Sequence, residues 1–172
     1  FSPTILRMST LYGLSPRMRF DLVVNTLTIK ALKEKEFTIF GGGQWRPNLH
    51  VSDAAEAYIK CLESPIENIG GEIFNVGSND ENYKIIELGE TVKGGLPETN
   101  MKIDETKIDE RNYNVSFDKI EKQLEYFTNY TIKDGVEEIK EAVESGKFAD
   151  YTDNKYNNYA FLQNSTLQIE ME

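Results

Sequence analysis

One stretch, residues 37–58, combines residue types that could bind a phosphate group. It contains three consecutive glycines at 41–43, Arg46, the single tryptophan, the single histidine and then Asp53. Glycine lets the backbone approach a ligand closely, and a guanidinium group pairs well with phosphate oxygens through parallel hydrogen bonds. The stretch therefore predicts one wall of a site for a phosphate-bearing ligand.

The local elements should place Arg46 between a strand and a helix. Residues 37–40 are short, apolar and ended by the glycines, which predicts a strand. Asp53 with Glu56 three residues later is typical of a capped helix start. Apolar residues at helical spacing predict the face of this helix that packs on the core: Val51, Ala55, Tyr58, Ile59 and Leu62. Arg46 is then expected in an irregular loop, where binding residues are common.

Each of these residues also has an ordinary structural interpretation. A loop arginine such as Arg46 can be solvated or structural, His50 can be a packed or hydrogen-bonded histidine, and Trp45 can be partly buried. The three glycines are not a dinucleotide fingerprint, because no helix follows them directly. Spacing alone leaves both interpretations open.

Composition excludes several classes of function. The chain has 172 residues, 39% of them hydrophobic and 28% charged, which is typical of a soluble globular domain. A net charge of −10 argues against non-specific nucleic-acid binding and against an anionic membrane surface. No apolar run approaches the roughly 20 residues that a membrane helix needs. One cysteine, Cys61, rules out an internal disulfide, and we expect it to be buried in a protein of the reducing cytoplasm.

The rest of the chain predicts alternating strands and helices, and hence an α/β fold. The expected strands are a buried one near residues 4–8, and others at 71–77 and 101–103. The expected helices begin after Asp21, run over 83–92, and begin at Ser116 and at Asp134, the last with Glu137 in a capping box. Residues 148–172 are polar and aperiodic, so we expect a draped or disordered tail after a domain of residues 1–147.

Three segments together resemble one enzyme family. GGGQWRPNLHVSDAAEAY, LRMSTLYG and GEIFNVGS occur in the order found in the extended short-chain dehydrogenases/reductases. This is the NAD-dependent epimerase/dehydratase family, typified by UDP-glucose 4-epimerase. The resemblance implies the last strands of a parallel Rossmann-like sheet plus a small mixed helical domain that binds a nucleotide-diphosphate sugar. The implied chemistry is hydride transfer between a sugar carbon and NAD, followed by epimerisation or loss of water.

The resemblance also implies roles for individual residues. Arg46 would hold the diphosphate, and His50 of the same motif would lie with the substrate. Met8 and Ser9 would lie against the nicotinamide of NAD, and Thr10 would reach the sugar. Without the resemblance, Met8 is a core residue, and Ser9 and Thr10 cap the end of a strand.

Two further positions depart from the family pattern. Asp21 stands where the family usually has a nucleotide-contacting asparagine, and a carboxylate would repel a phosphate. Asn25, one helical turn later, is an alternative contact, and Arg17 or Arg19 could supply charge. Arg111 is the nearest match to a residue that holds the nucleotide late in the family's chain. Pairing of Arg111 with Asp109 or Glu110 is the structural alternative.

The family's NAD-binding and catalytic residues have no match here, so we expect the chain to be a fragment that lacks the N-terminal Rossmann half. There is no Gly-x-x-Gly-x-x-Gly sequence. Tyr151 and Lys155 match the catalytic Tyr-x-x-x-Lys only by letter, in a polar segment without helical periodicity. The full-length parent would be an enzyme and a homodimer, whereas the fragment alone should be inactive. A reductase or synthase of the same family, a non-catalytic nucleotide-binding regulator and an unrelated interaction domain stay open as alternatives.

Overall fold

A computed structural model describes residues 1–107 and 109–169 of the chain. Within these residues the helices are α1 (Val23–Glu34), α2 (Val51–Glu63), α3 (Ile66–Ile69), α4 (Ile85–Gly95), α5 (Asp118–Leu124), α6 (Ile132–Glu144) and α7 (Asn158–Ile169). The strands are β1 (Ile5–Met8), β2 (Thr10–Tyr12), β3 (Glu36–Phe40), β4 (Trp45–His50), β5 (Ile73–Val76), β6 (Asn82–Lys84) and β7 (Asn100–Asp104). The predicted α/β fold is confirmed.

The strands form three small sheets that are mostly parallel. β1 pairs with β5, and β3 pairs with β7, both in parallel. β2 lies parallel to β4, whose other edge carries β6 in the antiparallel direction. One apolar core joins α2 and α5 to β1 and β5, and a second joins α1, α4 and α6 to β3. The strands expected at 71–77 and 101–103 are therefore present as β5 and β7.

A single residue, Ser9, separates two strands that belong to different sheets. Its backbone N–H and its hydroxyl both donate to the carbonyl of Val76, at 3.1 and 2.8 Å. A Cβ on Gly77 would lie 2.6 Å from the Ser9 hydroxyl oxygen and 2.7 Å from the Phe117 ring, so a side chain does not fit there. At Ser9 the chain thus stops pairing with β5 and begins to pair with β4, and a cleft opens beside this point.

Helix α2 differs from the prediction in both its cap and its buried face. His50 is the N-cap residue, and its ring nitrogen Nδ1 accepts a hydrogen bond from the Ser52 backbone N–H at 3.3 Å. The buried positions are Asp53, Ala54, Ala57 and Cys61, whereas Tyr58 and Leu62 are 55% and 86% exposed. The small residues allow the helix to approach the sheet closely, which leaves the large apolar ones outside. Burial of Cys61 is confirmed.

Other predicted boundaries shift by a few residues. Helix α1 begins after Leu22 with no side-chain cap, because the Asp21 carboxylate is bonded to Arg19. Helix α4 begins at Ile85, so Tyr83 lies in β6. Thr131 caps helix α6 and Asp134 completes the capping box, whereas Asp134 was expected to be the cap and Glu137 the completing residue. Strand β1 is half exposed, whereas a buried strand was expected.

Part of the predicted tail packs on the body of the protein. The Phe20 ring makes edge contacts with the rings of Phe148, Tyr151 and Tyr156, at centroid distances of 5.1, 6.2 and 5.2 Å. A short 3-10 helix (Asn154–Tyr156) and α7 follow. The segment is therefore ordered by aromatic packing up to α7, and residues 170–172 of the predicted tail lie outside the described residues.

The buried carboxylate of Asp53 fastens a distant loop to α2. Its oxygens accept hydrogen bonds from the backbone N–H groups of Asn129, at 2.9 Å, and Tyr130, at 3.1 Å. The hydroxyl of Tyr126 donates to the Asp53 carbonyl oxygen at 2.8 Å. These bonds hold the loop that leads into α6.

Glu81 is a second buried carboxyl group near this loop. The hydroxyl of Tyr12 donates to its Oε2 atom at 3.3 Å, and only 5% of the residue is exposed. Burial, with a smaller effect of the nearby Asp53 charge, raises the pKa of Glu81 to about 7. The folded protein therefore takes up a proton on Glu81 at pH values where the unfolded chain has lost it.

Replacement of Asp53 by alanine should lower the free energy of unfolding by about 2–4 kcal/mol. It removes the acceptor of two backbone N–H groups and leaves them without a partner. Urea unfolding measures the change, and Glu63→Ala, at an exposed position of the same helix, is the control, expected within about 0.5 kcal/mol. Equal stability of the two variants would show that the loop is held by other contacts.

Stability should fall as the pH rises from 5 to 8, and Glu81 should account for about 2–3 kcal/mol of that fall. Stability falls with rising pH because, between about pH 4.5 and pH 7, the folded state binds more protons than the unfolded state. Urea unfolding of Glu81→Gln should show a weaker pH dependence than the wild type. Glu121→Gln, at an exposed position, should keep the wild-type dependence, and an unchanged pH profile in Glu81→Gln would refute the assignment.

Candidate functional site

The main cleft lies between α1, β3 and the irregular segment that follows β7. It has a volume of about 390 Å³. Four of the predicted site residues line it: Thr10, Asp21, Arg46 and Arg111. Apolar side chains of α1 and β3, among them Leu27 and Ile39, form its floor. A mostly apolar cleft with a few convergent charged groups is the usual form of a small-molecule site.

Arg46 lies in strand β4, and the expected loop position is wrong. Its Nη1 atom donates to the carbonyl oxygens of Trp45, at 2.7 Å, and of Arg111. Its Nη2 atom is buried and makes no aligned hydrogen bond with any described residue, although Oδ2 of Asp109 lies 2.9 Å away. The guanidinium carbon lies 5.2 Å from the centre of the Tyr113 ring. The Nη1 atom of the guanidinium thus bonds to two backbone carbonyls, and the Nη2 atom faces the carboxylate of Asp109.

Arg111 and Arg46 share the same carboxylate. The Nε and Nη2 atoms of Arg111 donate to the two oxygens of Asp109 at 2.9 and 2.6 Å. The Arg111 guanidinium, with a smaller contribution from Arg46, holds the pKa of Asp109 well below its usual value. The pairing of Arg111 with Asp109, which was the structural alternative, is therefore present. Two cations and one anion meet at the edge of the cleft.

A second cleft, of about 430 Å³, adjoins the first. Met8, Ser9, Thr10 and Asn25 line it, and Thr10 is shared with the main cleft. The two clefts meet beside the divergence of β1 and β2. Ligands of open α/β sheets bind at such switch points outside the carboxyl ends of the strands. The predicted cofactor and sugar residues are thus adjacent to the predicted phosphate residues.

Asp21 and Asn25 are both engaged by the protein itself. Asp21 forms a two-point ion pair with Arg19, at 2.9 and 2.8 Å. Asn25 is buried, where its Oδ1 accepts from the Gly13 N–H at 3.1 Å and its Nδ2 donates to the Arg19 carbonyl at 3.0 Å. These bonds shape the loop of residues 13–21 at the mouth of the cleft, and they use most of the hydrogen-bonding capacity of both side chains.

His50 lies outside both clefts and is 1% exposed. Its Nδ1 accepts the bond from Ser52, so Nε2 carries the proton and donates to Oε2 of Glu138 at 2.9 Å. A Cβ on Gly13 would lie 2.2 Å from Nε2, and the φ of Gly13 is +97°, so this position needs glycine. The packed and hydrogen-bonded histidine that was considered from the sequence is the arrangement observed.

Sequence analysis missed the part of the site that follows β7. Asp109 was considered only as a partner of Arg111, and Tyr113 was not considered, yet both line the main cleft beside Arg46. Lys30 and Phe40 also line it. The signal that could have found them is the cluster of two acidic residues and an arginine at 109–111, with an aromatic residue two positions later at Tyr113. Tyr151 and Lys155 line neither cleft; Tyr151 bonds to Glu34 of α1, and Lys155 pairs with Asp153.

Comparison with known proteins finds related sequences and folds. Residues 1–77 match the model of the NAD dependent epimerase/dehydratase family. An uncharacterized UDP-glucose epimerase of Bacillus subtilis is 34% identical over 93 residues, which are 52% of this chain and 28% of that protein. A UDP-N-acetyl-alpha-D-glucosaminuronate decarboxylase of Bacillus cytotoxicus is 37% identical over 82 residues, 45% of this chain and 24% of that protein. The matched region therefore spans less than a third of these curated relatives.

The fold matches part of a solved enzyme. A UDP-glucuronic acid 4-epimerase of Bacillus cereus, crystallised with UDP-glucuronic acid and NAD, superposes with a TM-score of 0.69 and 26% identity. The match covers 83% of this chain and 45% of that one. The predicted resemblance to Rossmann-like epimerases and dehydratases is confirmed. In the part of the chain that is described, no helix has both the length and the apolar composition to cross a membrane.

Proposed function

We propose that this chain, whose residues 1–77 match the model of the NAD dependent epimerase/dehydratase family, is the nucleotide-sugar-binding part of an NAD-dependent nucleotide-sugar epimerase or dehydratase. The observation that carries the proposal is the convergence of Arg46 and Arg111 at the edge of an apolar cleft. Two guanidinium groups suit a diphosphate, since each can pair with separate oxygens. The apolar floor suits the nucleoside.

The orientation of the ligand follows from the two adjoining clefts. The nucleoside would lie over α1 and β3, the diphosphate at Arg46, and the sugar toward Thr10 at the junction of the clefts. His50 would not contact the ligand; its hydrogen bond to Glu138 would fix β4 against α6. Asp21 and Asn25 would shape the loop at the mouth through their bonds to Arg19 and Gly13.

Met8 and Ser9 fit one wall of a cofactor site. Their cleft adjoins the proposed sugar position, and the Ser9 hydroxyl is already engaged by the Val76 carbonyl oxygen, to which it donates at 2.8 Å. NAD would accept a hydride from a sugar carbon when bound there. These residues would orient the ring but cannot move the proton that leaves the sugar hydroxyl, so the acid–base group would have to come from another part of the parent protein.

An apolar surface that no described element covers supports the proposal that this chain is part of a larger protein. Within the described residues β1 pairs only with β5, and Ile5 of β1 is 48% exposed. Tyr58 and Leu62 of α2 border the same side, around a hollow with Leu6. A further parallel strand and helix would cover this surface and continue the sheet. We propose that the NAD-binding half of the parent enzyme covers it.

Replacement of Arg46 by alanine should weaken binding of UDP-glucuronic acid or UDP to the 172-residue chain by about ten- to a hundredfold. The variant removes a charge-assisted contact with the diphosphate, worth about 1.5–3 kcal/mol. Isothermal titration calorimetry measures the affinity, and GDP, CDP and dTDP sugars compared in the same way would identify the preferred base. The affinity of Arg46→Lys should lie between those of the wild type and Arg46→Ala, since lysine keeps the charge but loses the planar fork of the guanidinium.

Arg7→Ala is the matched control, because Arg7 is exposed on β1 and lines neither cleft. It should bind as the wild type does. Urea unfolding of each variant separates lost binding from lost folding, since Arg46 also bonds to two backbone carbonyls. Equal affinity of wild type and Arg46→Ala would overturn the proposed function and leave Arg46 a structural residue.

A further inference from the structure

The anion position beside Arg46 is already filled by the protein's own carboxylate. Oδ2 of Asp109 lies 2.9 Å from Nη2 of Arg46 and 2.6 Å from Nη2 of Arg111. Both arginines thus meet on one oxygen atom at the edge of the main cleft. The side chain of Arg46 is 8% exposed and that of Asp109 is 37% exposed, so the pair is partly shielded from water and from salt.

We propose that Asp109 is an internal competitor of the ligand, an anion that occupies the phosphate position and must leave before a diphosphate can bind. This inference rests on the proposed function. It assigns Asp109 a part in setting affinity, because only a ligand that brings enough negative charge to replace the carboxylate at both arginines can displace it. Neutral ligands and free nucleosides would leave the ion pairs in place.

The contacts around Arg46 allow such an exchange without loss of the site. Nη1 of Arg46 is held by the carbonyls of Trp45 and Arg111, and neither bond involves the Asp109 side chain. Nη2 makes no aligned hydrogen bond with Asp109 despite the short distance, so a better-placed phosphate oxygen would gain a contact there. The guanidinium therefore stays in place while its anionic partner changes.

Only the Asp109 side chain has to move in this exchange, because the backbone that follows it is held against β4 and β6 through Asn112, Tyr113 and Val115. Asp109 to Val115 have no helical or strand structure, and Asp109 and Arg111 are fastened to one another by a local turn, in which the Arg111 N–H donates to Oδ1 of Asp109 at 3.0 Å. The cost of displacing the carboxylate is then confined to this short segment. A protein whose competent state is only partly populated binds its ligand with reduced apparent affinity.

The test is the affinity of the 172-residue chain for UDP and for inorganic pyrophosphate in Asp109→Asn. The amide keeps the size of the side chain and an oxygen for the Arg111 N–H, but removes the competing charge. We expect binding about tenfold tighter than wild type, the order of one charge-assisted contact. Asp109→Ser, which also keeps an acceptor, provides the same test if the asparagine variant does not fold.

Glu110→Gln is the matched control, because it removes the same charge from the adjacent, exposed residue. Its affinity should change by less than about twofold; a gain equal to that of Asp109→Asn would overturn the inference in favour of general electrostatics. Unchanged or weaker binding in Asp109→Asn, together with a loss in Arg46→Ala, would overturn this inference alone and make Asp109 a positioning residue. Binding that is insensitive to Arg46 would overturn both proposals.

Discussion

The site depends on the divergence of two strands around one residue. β1 and β2 are separated only by Ser9, yet they pair with β5 and β4 respectively. Two bonds from Ser9 to the Val76 carbonyl hold the chain at the point where it leaves one sheet for the other, and the lack of a side chain at Gly77 makes room for them. Both clefts open beside this point. A strand that continued in a single sheet would close the space that they occupy.

Buried polar groups hold the loop at the mouth of the clefts and other irregular segments of the protein. Asp53 fixes the loop at 129–130, Asn25 fixes Gly13, and His50 bonds to Glu138 on α6. Each of these groups is nearly fully buried and bonds to backbone or to a single side chain, so the cost of burial is offset by the bonds it makes. The irregular loop of residues 13–21 at the mouth of the clefts thus keeps its shape through Asn25, whereas Asp53 and His50 fix segments that line neither cleft.

The prediction of the fold from the sequence succeeded where apolar composition decides the outcome. Strands β3 and β5 are short and largely apolar, β7 alternates apolar with polar residues, and each lies where it was expected. Helix caps were displaced because Asp21 and Asp53 have stronger partners elsewhere, in Arg19 and in the backbone of residues 129–130. The buried face of α2 was missed because close packing there favours alanine and cysteine over larger side chains.

The site itself was less predictable than the fold. Family resemblance drew attention to Arg46 and Arg111, but local sequence could not show that Asp109 contacts both of them, since 62 residues of chain intervene between Arg46 and Asp109. The same holds for His50, whose partner Glu138 lies 88 residues away. The spacing of residues along the chain indicates helices and strands, but it does not show which residues contact one another across such separations.

The pairing of the strands also has a consequence for the order of folding during synthesis. Ile5 pairs with Ile73, Thr10 with Asn48, and Glu36 with Asn100. Strand β2 cannot pair with β4 until His50 has left the ribosome, and the core around α6 waits for residues 132–144. Pairings between distant segments slow folding and lengthen the time for which apolar strands are unprotected. The early strands β1 and β3 are therefore the segments that wait longest for their partners and are most exposed to association with other chains.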